Sequence, residues 1–247
     1  MSGHSKWASI KHQKAATDAK RGAAFTKLAN GVAVAAKQGG SDPETNFALR
    51  LAIQKAKAAN MPSSNIERSI KRGSGQLGGD QIEEITYEGY GPGGSAIIIE
   101  TATDNRNRTG PDVRTALGKA GGRLADAGSV VYQFDQKGVI RLRPDDLEVA
   151  TLDAIEAGAD DVEAEDGTLV VYTMPKELNA VRTKLSEMGY TIEEAALAYI
   201  PKTTILIEDE KTARQLLRLM DVLDDMDDVS ATHANFDIAE ALMRALA

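Results

Sequence analysis

Apolar residues recur at helical spacing along the first third of the chain. Phe25, Leu28, Ala29, Val32 and Ala36 stand at i, i+3, i+4, i+7 and i+11, one face of a helix expected to run from Thr17 until Gly39-Gly40 stops it. Residues 1–16 are polar and open without a clear cap, so they read as an ordered arm or a short frayed helix. Ser41-Asp42-Pro43-Glu44 predicts the next helix start: an acceptor side chain, proline at the first helical position and an acid near the positive end of the dipole. That helix should reach Asn60, ahead of Met61-Pro62. A short third helix from Ser63 or Ser64 buries Ile66 and Ile70 at i, i+4 and ends near Gly73.

Gly73-Ser74-Gly75-Gln76-Leu77-Gly78-Gly79 is composed as a linker, and the pattern changes beyond it. Strands are predicted at 82–88 and 95–103, the second holding the dense run Ala96-Ile97-Ile98-Ile99 of a buried strand. A helix from Thr109 or Gly110 to Ala120 follows, then strands at 130–134 and 139–143 joined by a turn at Asp135-Gln136-Lys137-Gly138. Beyond Pro144 come an acidic helix (145–157), a strand (168–174), a helix opening at Pro175-Lys176-Glu177 and a strand (193–199). A strand (203–208), a helix (210–223) and a strand-like piece (229–236) end the pattern. This order predicts an α+β multidomain chain, with an N-terminal helical bundle followed by two small α+β units of split βαβ type.

Charge divides at the same linker. Residues 1–75 hold 13 Lys and Arg against 4 Asp and Glu, a net of +9, whereas residues 76–247 hold 16 against 33, a net of −17. The surplus is densest at the start, where Lys6, Lys11, Lys14, Lys20, Arg21 and Lys27 face a single acid, Asp18, beside the only tryptophan, Trp7. A basic module on an acidic body suits a polyanionic partner gripped by one face, with the body repelling it elsewhere. The chain has no cysteine, which excludes disulfides, thiolate zinc sites and a cysteine nucleophile, and fits a reducing compartment. It has neither a signal-peptide pattern nor an apolar run of membrane-spanning length, so a cytoplasmic protein is expected.

Other motifs carry less. Gly89-Tyr90-Gly91-Pro92-Gly93-Gly94 fits G-x-G-x-x-G but leads into a strand instead of opening a helix, so a turn between antiparallel strands explains it better than a dinucleotide site. Asp104-Asn105-Arg106-Asn107-Arg108-Thr109 joins a strand to a helix, with Thr109 as the expected N-cap. It reads either as an anion site built on Arg106 and Arg108 or as a loop stapled by its own side chains. His4, His12 and His233 lack metal-ligand spacing, and the acidic runs near 160–166 and 224–228 read as solvated faces. No serine elbow or acid–base pair stands out, so no enzyme, cofactor or metal is expected. Trp7 suits base stacking and anchoring of the arm equally.

Gly3-His4-Ser5-Lys6-Trp7, His12 with Lys14-Ala15-Ala16, Asp18-Ala19-Lys20-Arg21, Gly91-Pro92-Gly93-Gly94, Asp104 to Arg108 and Gly128-Ser129-Val130 together resemble the YebC/PmpR family. Asn60-Met61-Pro62 and Asn65-Ile66-Glu67-Arg68 extend the resemblance nearly end to end. It implies a helical bundle (1–75), an α+β domain (80–134 plus 202–240) and a ferredoxin-like domain (135–201) inserted in it, around a central cleft. Such proteins are described both as DNA-binding transcriptional regulators and as translation factors that help ribosomes through proline-rich stretches. The resemblance therefore implies a non-enzymatic nucleic-acid-binding regulator. The first expectation is an RNA partner on the ribosome (rRNA or tRNA), and the alternative is duplex DNA; no membrane or small-molecule partner is expected. The candidate nucleic-acid-binding residues are His4, Lys6, Trp7, Lys11, His12, Lys14, Lys20, Arg21, Lys27, Arg106 and Arg108. Two departures bear on them: Ala29-Asn30-Gly31-Val32 adds no charge after Lys27, and Asp135-Gln136-Lys137-Gly138 has one basic residue where relatives often have two.

Overall fold

The protein is described by a computed structural model covering residues 21–77, 82–165, 167–239 and 242–243. Three helices lead: α1 (Arg21–Gly39), α2 (Phe47–Ala58) and α3 (Ser63–Gly73). Val32, Ala36, Leu49, Ala56, Met61 and Ile66 close on one another as their core, with Phe25, Leu28, Ala29 and Ile70 at its margin. The face predicted for α1 is therefore the buried one. Gly73 approaches α1 so closely that a Cβ there would overlap the Ala33 carbonyl.

The second helix starts later than Ser41-Asp42-Pro43-Glu44 predicts. Asp42 folds a turn instead, its carboxylate accepting from the Glu44 amide and its carbonyl from the Asn46 amide. Asn46 is the cap: its Oδ1 accepts from Leu49 N at 3.1 Å, while its Nδ2 donates to the Ala35 and Gly40 carbonyls at 2.7 Å each. One buried carboxamide thus starts α2 and fastens it to the end of α1.

The chain continues through β1 (Glu83–Tyr90), β2 (Ala96–Thr103), α4 (Arg106–Lys119) and β3 (Arg123–Ala125). Then come β4 (Phe134–Leu142), α5 (Leu147–Ala157), β5 (Asp161–Glu165), β6 (Thr168–Thr173), α6 (Leu178–Glu187) and β7 (Ile192–Pro201). It closes with β8 (Ile205–Ile207), α7 (Glu210–Asp225), β9 (Val229–Ala234) and β10 (Phe236–Ile238). One antiparallel sheet has the order β3-β1-β2-β9 and another β5-β6-β4-β7, while β8 and β10 pair in parallel. The architecture is mixed α+β, with the helical region ahead of the sheets.

Strand β2 opens with the apolar run Ala96-Ile97-Ile98-Ile99 because both its faces are covered there. Ile97 and Ile99 meet Val113 and Leu117 of α4 and Leu216, Leu219 and Leu223 of α7. Ala96 and Ile98 meet Val130 and Phe134 on the opposite side. In the other sheet Ile140, Leu142, Leu169 and Val171 pack on Ala150 and Ala154 of α5 and Val181 and Leu185 of α6. Pro92–Gly94 is a single 3-10 turn between antiparallel β1 and β2, with Gly93 and Gly94 at φ 68° and 76°, so the glycines serve the turn expected of them.

Three expectations need correction. Helix α4 begins at Arg106, because the Asn105 side chain accepts from the Arg108 amide at 3.2 Å; Thr109 lies inside the helix, buried, and is no cap. Residues 131–133 form a 3-10 turn, and the strands expected at 130–134 and 139–143 are replaced by one strand, β4, which runs straight through Asp135-Gln136-Lys137-Gly138. Pairing with β7 from Phe134 to Leu142, and with β6 from Gly138 onward, overrides the turn-like composition. The terminal stretch divides at Asn235 into β9 and β10, which join different sheets; buried Asn235 accepts from the Ala96 amide at 2.7 Å.

Glu88 is a buried carboxylate on β1 that receives three main-chain amides, Gly128 at 2.6 Å, Val130 at 2.5 Å and Val131 at 2.8 Å. Gly128, at φ 86°, supplies the left-handed turn that aims these amides at it. His233 is buried beside Glu100, 2.8 Å from its carboxylate, with the Tyr199 ring edge-on at 5.5 Å.

Candidate nucleic-acid interface

His4, Lys6, Trp7, Lys11, His12, Lys14 and Lys20 lie outside the described residues, and Arg21 opens α1 with its side chain undescribed. What can be located is where the arm joins the body. Lys27 donates from its ammonium group to the Asp224 carbonyl near the end of α7. Further along α1, Asn30 Nδ2 donates to the Ala102 carbonyl at 3.1 Å, Lys37 Nζ to the Ile82 carbonyl at 2.6 Å, and Gln38 to the Glu84 carboxylate at 2.8 and 2.9 Å. The helix that carries the arm is thereby clamped along the first sheet, and its opening turns lie against the acidic run at 224–228.

The Asp104 to Thr109 stretch is the knot of this joint. Arg72 of α3 meets Asp104 at 2.6 Å, and Arg108 meets Asp228 at 2.8 and 3.0 Å and Asp104 at 3.4 Å. Buried Thr109 Oγ1 lies 2.7 Å from Asp228 Oδ2 and 2.9 Å from Oγ1 of buried Thr103. The hydrogen bond and charge of Asp228 raise the Arg108 pKa above its ordinary value. Arg108 is therefore committed to carboxylates, and the stapled-loop reading describes it better than the anion-site reading. Arg106 differs: it is exposed, and its charge partly counters the upward pKa shift that burial causes at Tyr87.

Among the described residues, two clefts open on the joint. The larger, about 720 Å³, runs between Thr26 and Asn30 of α1, Arg72, Arg108 and the carboxylates of Asp112, Asp225, Asp227 and Asp228. The other, about 570 Å³, lies between α1 and α3, with Phe25, Met61 and Leu77 as an apolar wall and Asn65, Arg68 and Arg72 as polar groups. Arg68 is an exposed cation beside the first turns of α1, and charge counting along the arm did not single it out. Its signal lay in helical spacing, since Asn65, Arg68 and Arg72 follow one another at i, i+3 and i+7 on the face of α3 opposite its apolar stripe. Among the described residues no three His, Asp or Glu side chains group as a metal site, and no helix is long and apolar enough to cross a membrane.

The family pattern described as the TACO1/YebC protein N-terminal domain matches residues 5–76, and that of the TACO1/YebC second and third domain matches residues 82–236. The chain belongs to the TACO1/YebC family. The break between the two matches falls at the glycine-rich linker where the charge changes sign. A protein of Persephonella marina is 52% identical over 98% of each chain, and one of Halothermothrix orenii 48% identical over 98% of each. Both carry the name "probable transcriptional regulatory protein". Among solved structures, a conserved hypothetical protein of Aquifex aeolicus matches with a TM-score of 0.83 at 45% identity, over 90% of this chain and 93% of that one.

Proposed function

We propose that this chain is a non-enzymatic nucleic-acid-binding regulator of gene expression, acting in the cytoplasm on the ribosome, where it contacts rRNA or tRNA phosphates and eases synthesis of proline-rich stretches. The observation that carries the reading is the reversal of charge, +9 before the linker and −17 after it. Lys6, Lys11, Lys14, Lys20 and Arg21 contact phosphates, joined by Arg68 and Arg106 at the edge of the body, with His4, Trp7 and His12 packing or stacking beside them. Arg108 and Lys27 hold the joint that presents the arm. The chain folds as bundle (1–75), α+β domain (80–134 plus 202–240) and inserted ferredoxin-like domain (135–201), the last matching the β–α–β–β–α–β order from β4 to β7.

A second reading, a DNA-binding transcriptional regulator using the same surface, is favoured by the names of the relatives. Lysine does not distinguish the phosphates of the two polymers, so charge cannot separate the readings. Cosedimentation with ribosomes across a salt series, beside duplex-DNA binding at the same salts, does. Ribosome retention at physiological salt with weak, steeply salt-dependent DNA binding is expected; tight, site-selective DNA binding without ribosome association would reverse the order. Joint charge reversal of Lys6, Lys11 and Lys14 to Glu should weaken nucleic-acid binding at least about tenfold while stability stays within about 1 kcal/mol. If the triple variant unfolds instead, the arm is structural.

A further inference from the structure

Among the described residues, Arg182 is a cation enclosed without a counter-charge. It sits on α6 and is 8% exposed, and its Nε and Nη1 have no hydrogen-bond partner among the described residues. Its one bond is local, from Nη2 to Thr183 Oγ1 at 3.2 Å. The guanidinium lies over the ring of Phe47, the first residue of α2, and Arg50 approaches the same ring at 5.8 Å. Arg50 is exposed and already donates to the Pro43 and Glu44 carbonyls. Burial first, then the charge of Arg50, lowers the Arg182 pKa to about 10, so the group is still charged at neutral pH.

A buried charge with unused donors is costly as packed, and a second cation facing the same ring adds repulsion. An anion would complete the arrangement; a second cation beside it makes it worse. We propose that the seam between α2 and α6 is a binding site for a phosphate-type oxyanion, with Arg182 and Arg50 as its cationic walls. The phosphate is either free or carried on a nucleic-acid backbone. Both unused nitrogens are enclosed, so entry requires the start of α2 to draw back from α6, and exposed Arg50 marks the solvent side. That movement has to break the Asn46 bonds to the Ala35 and Gly40 carbonyls or carry the bundle with it, and it also breaks an exposed ion pair, Lys55 to Glu194 at 3.2 Å, of a kind that contributes little. The backbone-phosphate case rests on the function proposed above; the free-phosphate case does not.

The test uses the full chain and sodium pyrophosphate, compared with chloride at matched ionic strength without magnesium. Pyrophosphate is expected to raise the wild-type melting temperature by about 3 °C or more at saturation, as ligand binding to the native state does. Arg182→Met should melt higher than wild type in chloride, because the unpaired charge is gone, and show no pyrophosphate response. Arg50→Gln, at an exposed position, should keep the chloride melting temperature and lose at least half of the response. Because the chain has no cysteine, spin labels on Gln54→Cys and Glu187→Cys report the seam, whose distance should lengthen with pyrophosphate. Equal shifts in wild type and Arg182→Met, or no shift in wild type, overturn the site.

A single-stranded RNA 15-mer then separates the sources. If Arg182→Met loses pyrophosphate response and RNA affinity together, the phosphate is the backbone's; if it loses only the former, the phosphate is free. Absence of RNA binding by wild type would defeat the proposed function while the pyrophosphate result still decides the site.

Discussion

Replacing Glu88 by alanine is expected to destabilise the protein by about 2–4 kcal/mol, read as a fall of about 5–15 °C in melting temperature. Its carboxylate is the acceptor of three main-chain amides at 2.5 to 2.8 Å, those of Gly128, Val130 and Val131. Val130 is fully buried, so its amide has no water to turn to when the carboxylate is removed, whereas Gly128 lies at the surface. Glu88→Gln separates these contributions. Its one remaining oxygen can serve Val130 and Val131 while its amide group faces exposed Gly128, so it should cost about half as much. A glutamine variant as damaged as the alanine variant would mean that all three bonds act as a unit, and an alanine variant within about 0.5 kcal/mol of wild type would remove the cradle from the account of the fold.

Asp228 should show effects on stability and on binding with opposite signs. It holds Arg108 at 2.8 and 3.0 Å and Thr109 at 2.7 Å, and only 12% of its side chain is exposed. Asp228→Ala is expected to cost about 2–3 kcal/mol in thermal or denaturant unfolding, since a buried hydroxyl and a guanidinium lose their shared acceptor. Asp228→Asn keeps the shape and removes the charge, leaving Arg108 with Asp104 at 3.4 Å. Nucleic-acid affinity should then rise about two- to fivefold at low salt, because one repelling charge beside the α1 joint is gone, and the gain should fade as salt is added. A loss of affinity in the asparagine variant would show that Asp228 positions the interface, not merely its charge balance.

The helices of the bundle could be read from spacing because each buries a stripe of its own residues. Val32, Ala36, Ile66 and Ile70 mark their faces without help from distant parts of the chain. The strands were harder where pairing outweighs composition. Asp135-Gln136-Lys137-Gly138 looks like a turn and is held extended by a partner strand about 60 residues away, Asp135 lying opposite Ile200. Strand β5 escaped notice for a related reason: its acidic composition reads as a solvated loop, and an edge strand can be acidic and still pair. At the candidate interface, the arm stands out in the sequence because uncompensated charge is a local property, and its residues lie outside the described ones. The fate of Arg108 does not stand out, since its neutralising partner Asp228 lies 120 residues further on. Gly128-Ser129-Val130 was likewise visible as a motif, while the reason for it, Glu88, sits 40 residues earlier.

The β5-β6-β4-β7 sheet is entered at Phe134 and left at Pro201, and these two residues face each other in the β4–β7 ladder, with the Lys202 amide donating to the Gln133 carbonyl at 2.9 Å. Entry and exit are therefore neighbours, and everything between them is a detour that begins and ends at one point. Joining Phe134 to Pro201 through an Asn-Gly turn, which spans such a pair, should yield a shortened chain that keeps the Ala96, Ile98, Val130 and Phe134 core and unfolds cooperatively. That surgery would produce a miniature carrying the basic arm and its clamp without the α2–α6 seam, so that grip on a nucleic acid and response to phosphate could be assayed in separate molecules.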